Sequence, residues 1–329
     1  MPRNPAGERP ESGRRERKGA SQCILSLMIR TPPQSSWDGK GKGSKAGNQF
    51  FMNLIRRFGI LPAYLFLFFP CVAYTLFDVK AKVGIRALRT RLGLRTGLLD
   101  YYRHFYAFGL SLVDRIAFLV RPRSRFSYHC SREELIADSA RDGAGVILLG
   151  SHVGNWEIAG NLLVDRIGAP VNIVMLQAEK EALMEVYRPA FEQRRVHIIA
   201  MTEDGSGTAV ECMAALHRGE IVALLGDRTK NQTSEEFEFL GFPARFPRGP
   251  FALALASGAP IIPVFTIKTG LRCYTFSAGD PIILRNVSRE DRDMSVHHAL
   301  GQYVRSLENI VRSHPHEWFN FYDFWKEKG

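Results

Sequence analysis

Residues 146–149, Val-Ile-Leu-Leu, form a short apolar run, entered through a glycine-containing turn at residues 142–145 and broken by Gly150 and Ser151. Its length and its flanks describe a buried strand. From Asn155 onward the apolar residues Trp156, Ile158, Ala159, Leu162 and Leu163 return at helical spacing. A buried strand that turns straight into a helix is the unit from which layered α/β domains are built. It leaves His152 at the end of the strand and Glu157 in the first turns of the helix.

The same alternation continues downstream. From Phe126 the pattern predicts helices at 133–141, 155–166, 180–194, 208–218, 251–257 and 296–313. It predicts strands at 146–149, 172–175, 197–200, 221–225 and 261–266. Alternating units of this kind predict a largely parallel sheet flanked by helices, with ligands gathered outside the strand carboxyl ends. His152 and Asp227 each follow an apolar strand, so both belong to that side. Residues 242–250, FPARFPRGP, read as a Pro/Gly-punctuated loop before a helix. The backbone amides at that helix start, with Arg245 and Arg248, suit an anionic group. At the end of strand 221–225, Arg228 offers a planar fork for phosphate or carboxylate. Asp227 either fixes Arg228 or bonds a substrate hydroxyl, and a surface turn with a local ion pair fits the same residues.

His152 and Glu157 form an H-x4-E pair, one residue wider than neighbours on a regular helix. The spacing works if His152 precedes the helix and the chain turns back there. Glu157 then accepts from one ring nitrogen, and the other nitrogen is left to take a proton from a hydroxyl. With no Ser or Cys placed in the pair as nucleophile, it points to activation of a substrate's own alcohol. A histidine at a helix start, with a carboxylate favoured by the helix dipole, fits the same spacing.

The surrounding residues sharpen the choice. Residues 151–160, SHVGNWEIAG, resemble the first motif of the lysophospholipid acyltransferase superfamily. They are closer still to its lipid A biosynthesis branch, the late, lauroyl/myristoyl-type acyltransferases. Three further blocks resemble that branch in order: LLGDR at 224–228, residues 239–265, and HPHEWFNFYDFW at 314–325. The likeness runs from about Met52 to Trp325. Where the wider superfamily carries Pro-Glu-Gly, this chain has Pro247, Arg248 and Gly249. That departure argues against a glycerol-phosphate acceptor and for the lipid A-like branch.

The resemblance implies a glycerolipid acyltransferase-like α/β fold and transfer of a fatty acyl group from a thioester. The donor is acyl carrier protein, or else coenzyme A. The acceptor is a hydroxyl of lipid A or a similar glycolipid. His152 is the implied general base and Glu157 its orienting partner, with Asn155, Asp227, Arg228, Arg245 and Arg248 toward substrate. Arg228 or backbone amides at 150–154 are implied as oxyanion donors. No cofactor and no metal are implied. A lysophospholipid, aminolipid or mannoside acceptor stays open, as does a non-catalytic lipid- or carrier-binding protein of the same fold.

The net charge of +11 needs its distribution before it means anything. Residues 1–48 hold 10 Lys/Arg against 4 Asp/Glu, residues 49–125 hold 13 against 3, and residues 126–329 hold 21 against 26. The basic excess therefore surrounds the most apolar stretch, residues 58–77, which carry no charge. That pattern suits an anionic membrane surface, and no nucleic-acid-binding motif accompanies it. It divides the chain into a disordered basic leader (1–48), a membrane-anchoring helix with amphipathic helices (49–125) and a catalytic domain (126–329). Basic residues flank the 58–77 run on both sides, which gives no orientation. A shallow anchor at the cytoplasmic face of the inner membrane is expected rather than a span. Met52 is a candidate translation start, a reading that native N-terminal sequence upstream of it refutes. The five scattered cysteines form no C-x2-C pair, which predicts neither disulfides nor a metal site.

Overall fold

The computed structural model describes residues 45–120, 126–141, 143–156, 158, 168–176, 196–202, 205–229 and 233–326. The expected helix at 180–194 and most of the one at 155–166 lie outside these residues, as does the leader up to residue 44.

Nine strands are described. Seven make one sheet: β1 (Ser127–Ser131), β2 (Val146–Gly150), β3 (Val171–Leu176), β4 (Val196–Met201), β5 (Ile221–Leu225), β8 (Ile261–Gly270) and β9 (Cys273–Ala278). Their order is β1-β9-β8-β2-β5-β3-β4. Every pairing is parallel except β8 with β9. β2 lies at the centre, and all five of its residues are buried. That is why its sequence is apolar without alternation: helices cover both faces of a parallel sheet.

Successive residues of β2 feed different cores. Ile147 and Leu149 join Phe251, Leu300, Tyr303 and Leu307 on one side. Val146 and Leu148 join Ile136, Ile173, Ile262 and Phe276 on the other. This two-residue period belongs to a pleated strand packed on both faces. Helices α6 (Glu134–Arg141), α7 (Ser206–His217), α8 (Gly249–Ser257) and α9 (Arg292–Ser313) follow the expected pattern.

The stretch expected as a loop at 242–250 is different. Residues Phe242–Pro247 form strand β7, paired antiparallel with β6 (Ser234–Phe239), and helix α8 starts at Gly249. Pro243 and Pro247 are tolerated because the ribbon has only two strands and each has a free edge. Leu240 and Gly241 make the turn, both at positive φ, 56° and 81°. That is the backbone a two-residue hairpin demands.

The apolar run is also jointed. It forms α2 (Ile60–Phe66) and α3 (Phe68–Phe77) in place of one helix. Pro70 cannot donate to the carbonyl of Phe66, and its ring crowds that carbonyl. Taken as a unit, Ile60–Phe77 is long and apolar enough to cross a membrane by length and composition, and a third of it is buried. Helices α1 (Lys45–Phe58), α4 (Val79–Arg91) and α5 (Leu98–Val120) complete this part of the fold. Ile60, Ala63, Tyr64, Leu67 and Cys71 pack with Tyr101, Phe105, Val113 and Ile116 of α5. The aromatic stripe on α5 is therefore a packing surface. Residues 45–48, counted with the leader on composition, lie in α1.

Candidate active site

The end of β2 is held from several directions. The backbone N–H of Gly226, just past β5, donates to the Gly150 carbonyl at 2.9 Å. The Tyr303 hydroxyl from α9 donates to the same carbonyl at 2.7 Å. Gly226 has no room for a side chain, since a Cβ there comes within 2.9 Å of Leu149 and 3.0 Å of Tyr303. The two strand ends are thus locked side by side, and the residues that follow them, His152 and Asp227, face one another.

His152 Nδ1 lies 2.7 Å from Asp227 Oδ1, and the His152 backbone N–H donates to Asp227 Oδ2 at 3.0 Å. Asp227 is completely buried. Trp318 Nε1 donates to Oδ2 at 2.9 Å, with Asn320 Nδ2 at 3.4 Å. Burial alone raises a carboxyl's pKa. Here the charge and hydrogen bond of His152, the charge of Arg228 and the Trp318 bond outweigh burial, and hold Asp227 well below the usual carboxylate range. An ionised Asp227 fixes the proton of His152 on Nδ1 and leaves Nε2 as an acceptor. The imidazole pKa is itself lowered, first by burial and next by the Arg228 charge, against the opposing effect of Asp227. The ring keeps 19% of its surface exposed. His152 is therefore a neutral, oriented imidazole at neutral pH, with one open side.

The loop beyond it is clamped. Gly154 donates to the Glu317 carbonyl at 2.7 Å, and Asn155 donates to the Thr266 carbonyl at 2.9 Å. Gly154 has φ +65°, and a Cβ there falls 1.9 Å from the Thr266 oxygen. No residue with a side chain fits, which explains the glycine two positions after His152. The carbonyl of His152 accepts from Phe319 N–H at 2.8 Å.

Next to Ser151 and Val153, which flank His152 in the chain, a small apolar hollow of about 40 Å³ opens over the sheet. Leu148, Gly150, Ile173, Ala223, Leu225 and Trp156 are among its walls.

Several expectations change. The Nδ1 partner assigned to Glu157 is Asp227, 75 residues away in sequence; the Glu157 side chain lies outside the described residues. Asn155 is buried and serves the protein itself: Nδ2 donates to the Ser111 carbonyl at 3.0 Å, and Oδ1 accepts from Ile158 N–H at 3.4 Å. Arg228 is in the cluster, donating to Asn320 Oδ1 and the Phe319 carbonyl. The backbone amides of residues 152, 153, 154 and 155 are all committed within the chain, which removes those four as oxyanion donors. Arg245 and Arg248 sit on the β6–β7 side, bonded to Ser234 and to Asp293 respectively, and make no contact with His152 or Asp227. Among the described residues no group of three or more His, Cys, Asp or Glu could hold a metal.

The block at 314–325 looks from sequence like a cover. It is instead part of the site, since Trp318, Phe319 and Asn320 hold Asp227, His152 and Arg228. Its aromatic density and its likeness to the family's last block flagged it, without assigning it a role. Within it, burial pushes the Glu317 carboxyl up to about 7; the Lys268 charge opposes this and the Asp114 charge adds to it. The folded chain therefore prefers Glu317 protonated, whereas the unfolded chain ionises near 4.5. Stability contributed by the neutral acid is lost as pH rises from the lower value through the higher. Glu317→Gln is expected to unfold at higher urea than wild type at pH 8, by about 1–3 kcal/mol, and at equal urea at pH 4.

A buried His–carboxylate pair at the carboxyl end of a parallel sheet, with Nε2 left as an acceptor, is able to take a proton from a hydroxyl. The profile of the bacterial lipid A biosynthesis acyltransferases matches residues 105–327. The chain belongs to that family. It is also similar to the phosphatidylinositol mannoside acyltransferase of Mycobacterium tuberculosis, 30% identical over 122 residues, 37% of this chain and 38% of the relative. The protein of that description from Mycolicibacterium smegmatis is 29% identical over 123 residues, 37% of this chain and 40% of the relative. The matched stretch thus spans about two-fifths of the length of these curated relatives.

Proposed function

We propose that the chain is an acyltransferase, moving a fatty acyl group from acyl carrier protein, or from coenzyme A, to a sugar hydroxyl of a membrane glycolipid. Lipid A and phosphatidylinositol mannosides share that chemistry. The observation that carries the reading is the neutral, Asp227-held imidazole of His152 at the carboxyl end of the sheet. His152 Nε2 takes the acceptor's proton as its oxygen attacks the thioester carbonyl. The C–S bond then breaks, and the departing thiolate takes the proton back from the imidazolium. No acyl-enzyme forms, so donor and acceptor meet in one complex. Arg228, anchored on the 319–320 backbone and side chain, supplies positive charge toward the oxyanion.

The test is transfer of a labelled palmitoyl group by purified protein, from either thioester, to lipid A precursors or to phosphatidylinositol mannosides. Product from one pairing names donor and acceptor together. Thioester hydrolysis with no transfer to any glycolipid sinks the reading. A mannoside acceptor has its own support in the relatives named above.

The reading includes a membrane surface at the cytoplasmic face of the inner membrane. Leu61, Leu65, Phe69 and Phe77 of α2 and α3 are exposed, while the opposite face of these helices packs on α5. Arg56, Arg57 and Lys80 are exposed at the two ends of the pair. Apolar insertion flanked by cations suits a helix pair lying in one leaflet. Replacing Leu65, Phe69 and Phe77 together by Ser is expected to release the protein from anionic vesicles in flotation. Unchanged flotation contradicts the docking.

A further inference from the structure

One carboxylate outside the site gathers four elements. Asp114 of α5 is completely buried. It accepts from the hydroxyl of Tyr64 on α2, from the hydroxyl of Tyr274 on β9 and from the ammonium of Lys268 on β8. Lys268 is buried with it, its side chain 9% exposed, and its ammonium also donates to Tyr64 Oη at 3.2 Å and to the Leu271 carbonyl at 3.0 Å. Apolar residues of similar size are often as stabilising as a buried ion pair. What this cluster adds is direction: three donors converge on one group and set how the helices α2 and α5 sit on the sheet.

The cluster reaches the catalytic loop by two routes. Asn155 Nδ2 contacts the Tyr274 hydroxyl at 3.5 Å and donates to Ser111, one turn from Asp114 on α5. Strand β8, which carries Lys268, also carries the Thr266 carbonyl that accepts from Asn155 N–H. Asn155 lies three residues after His152, and the residue between them with the least freedom, Gly154, is wedged against the same Thr266 oxygen. A movement of α5 relative to β8 and β9 therefore moves the loop that presents the imidazole.

We infer that Asp114 is a positioning residue for acyl transfer, acting through Tyr274 and Asn155 to hold the 152–155 loop and tying that loop to the apolar helix pair. This rests on the reading of His152 as the base. Positioning errors of about 1 Å cost on the order of 10²-fold in rate, so a loosened loop reads as a loss of kcat.

The test uses the full chain with Tyr274→Phe, which keeps the buried ring and the Asp114–Lys268 pair and removes only the linking hydroxyl. A second variant, Asn155→Asp, keeps the cap oxygen for Ile158 and loses the Nδ2 donor. Transfer is measured from palmitoyl-coenzyme A to a phosphatidylinositol mannoside in mixed micelles, with His152→Ala in parallel. Amide hydrogen exchange, which needs no substrate, is followed at residues 152–158 and in β2.

Each variant is expected to lower kcat roughly tenfold, with both KM values within about twofold of wild type. Exchange at 152–158 is expected to quicken at least tenfold while β2 is unchanged. A kcat within twofold of wild type, or unchanged loop exchange, overturns the inference; where the mannoside is no acceptor, exchange alone decides. If one variant is too unstable to purify, the other decides, and instability of both assigns the cluster to folding and overturns the inference as well. A fully active His152→Ala instead overturns the catalytic reading itself, whereas an inactive His152→Ala beside a fully active Tyr274→Phe overturns this inference only.

Discussion

Asp227→Asn is expected to lower acyl transfer by about 10²–10⁴-fold with the fold intact. The two oxygens of Asp227 are used differently. Oδ2 takes three donors, the His152 backbone N–H, Trp318 Nε1 and Asn320 Nδ2. An asparagine therefore keeps its carbonyl oxygen at that position and turns its NH2 toward His152 Nδ1. Nδ1 must then accept, which moves the ring proton to Nε2. The nitrogen that faces the substrate loses its lone pair, and the base is switched off without being removed. Raising the pH does not rescue this variant, because the wrong tautomer is neutral already. Near-equal thermal midpoints in melting experiments, beside the lost activity, check that the effect is chemical.

The same geometry sets the pH dependence of wild type. Burial and the Arg228 charge lower the imidazole pKa from its ordinary value of 6.5, against the pull of Asp227. The base works when neutral, so kcat/KM is level above pH 6.5 and its acid limb lies below that value. In Asp227→Asn the opposing negative charge is gone. The residual acid limb moves to still lower pH.

His152→Ala is the second large effect. Loss of the base removes about 10²–10⁴-fold of the rate. It also leaves Asp227 Oδ1 without its 2.7 Å partner in a completely buried position. An orphaned buried acceptor costs on the order of 1–3 kcal/mol, so the variant melts lower but remains folded. The vacated space next to an ionised carboxylate suits free imidazole. Added imidazole is expected to restore part of the lost transfer in His152→Ala and none in Asp227→Asn. Rescue of neither variant, with His152→Ala fully active, contradicts the role of the ring.

Much of this was legible from residue order. Strand Ile221–Leu225 has the bounds that the apolar run predicts, and β2 runs only one residue beyond the predicted 146–149. Long apolar periods and fully buried runs leave strong signals. β1 left none, because Ser127–Ser131 is a polar, partly exposed edge strand whose pattern is set by its neighbour β9. β7 was hidden by its two prolines, which a free-edged ribbon accommodates. The histidine was visible from its place after a strand. Its partner was not, since a contact across 75 residues depends on the order β2-β5 in the sheet, and the spacing within one turn pointed to Glu157 instead. The supporting role of Trp318 and Asn320 depends on a chain reversal after α9 that brings Trp318 beside Val153, and no local pattern encodes it.

Glycolipid acylation by the His152–Asp227 pair is tested most directly by mass spectrometry of total lipids from cells lacking the gene, complemented with wild type, His152→Ala or Asp227→Asn. One glycolipid is expected to lose a single acyl chain on deletion, with wild type restoring it and neither variant doing so at equal protein level. Restoration of that species by His152→Ala, or a glycolipid profile unchanged by deletion, contradicts this role.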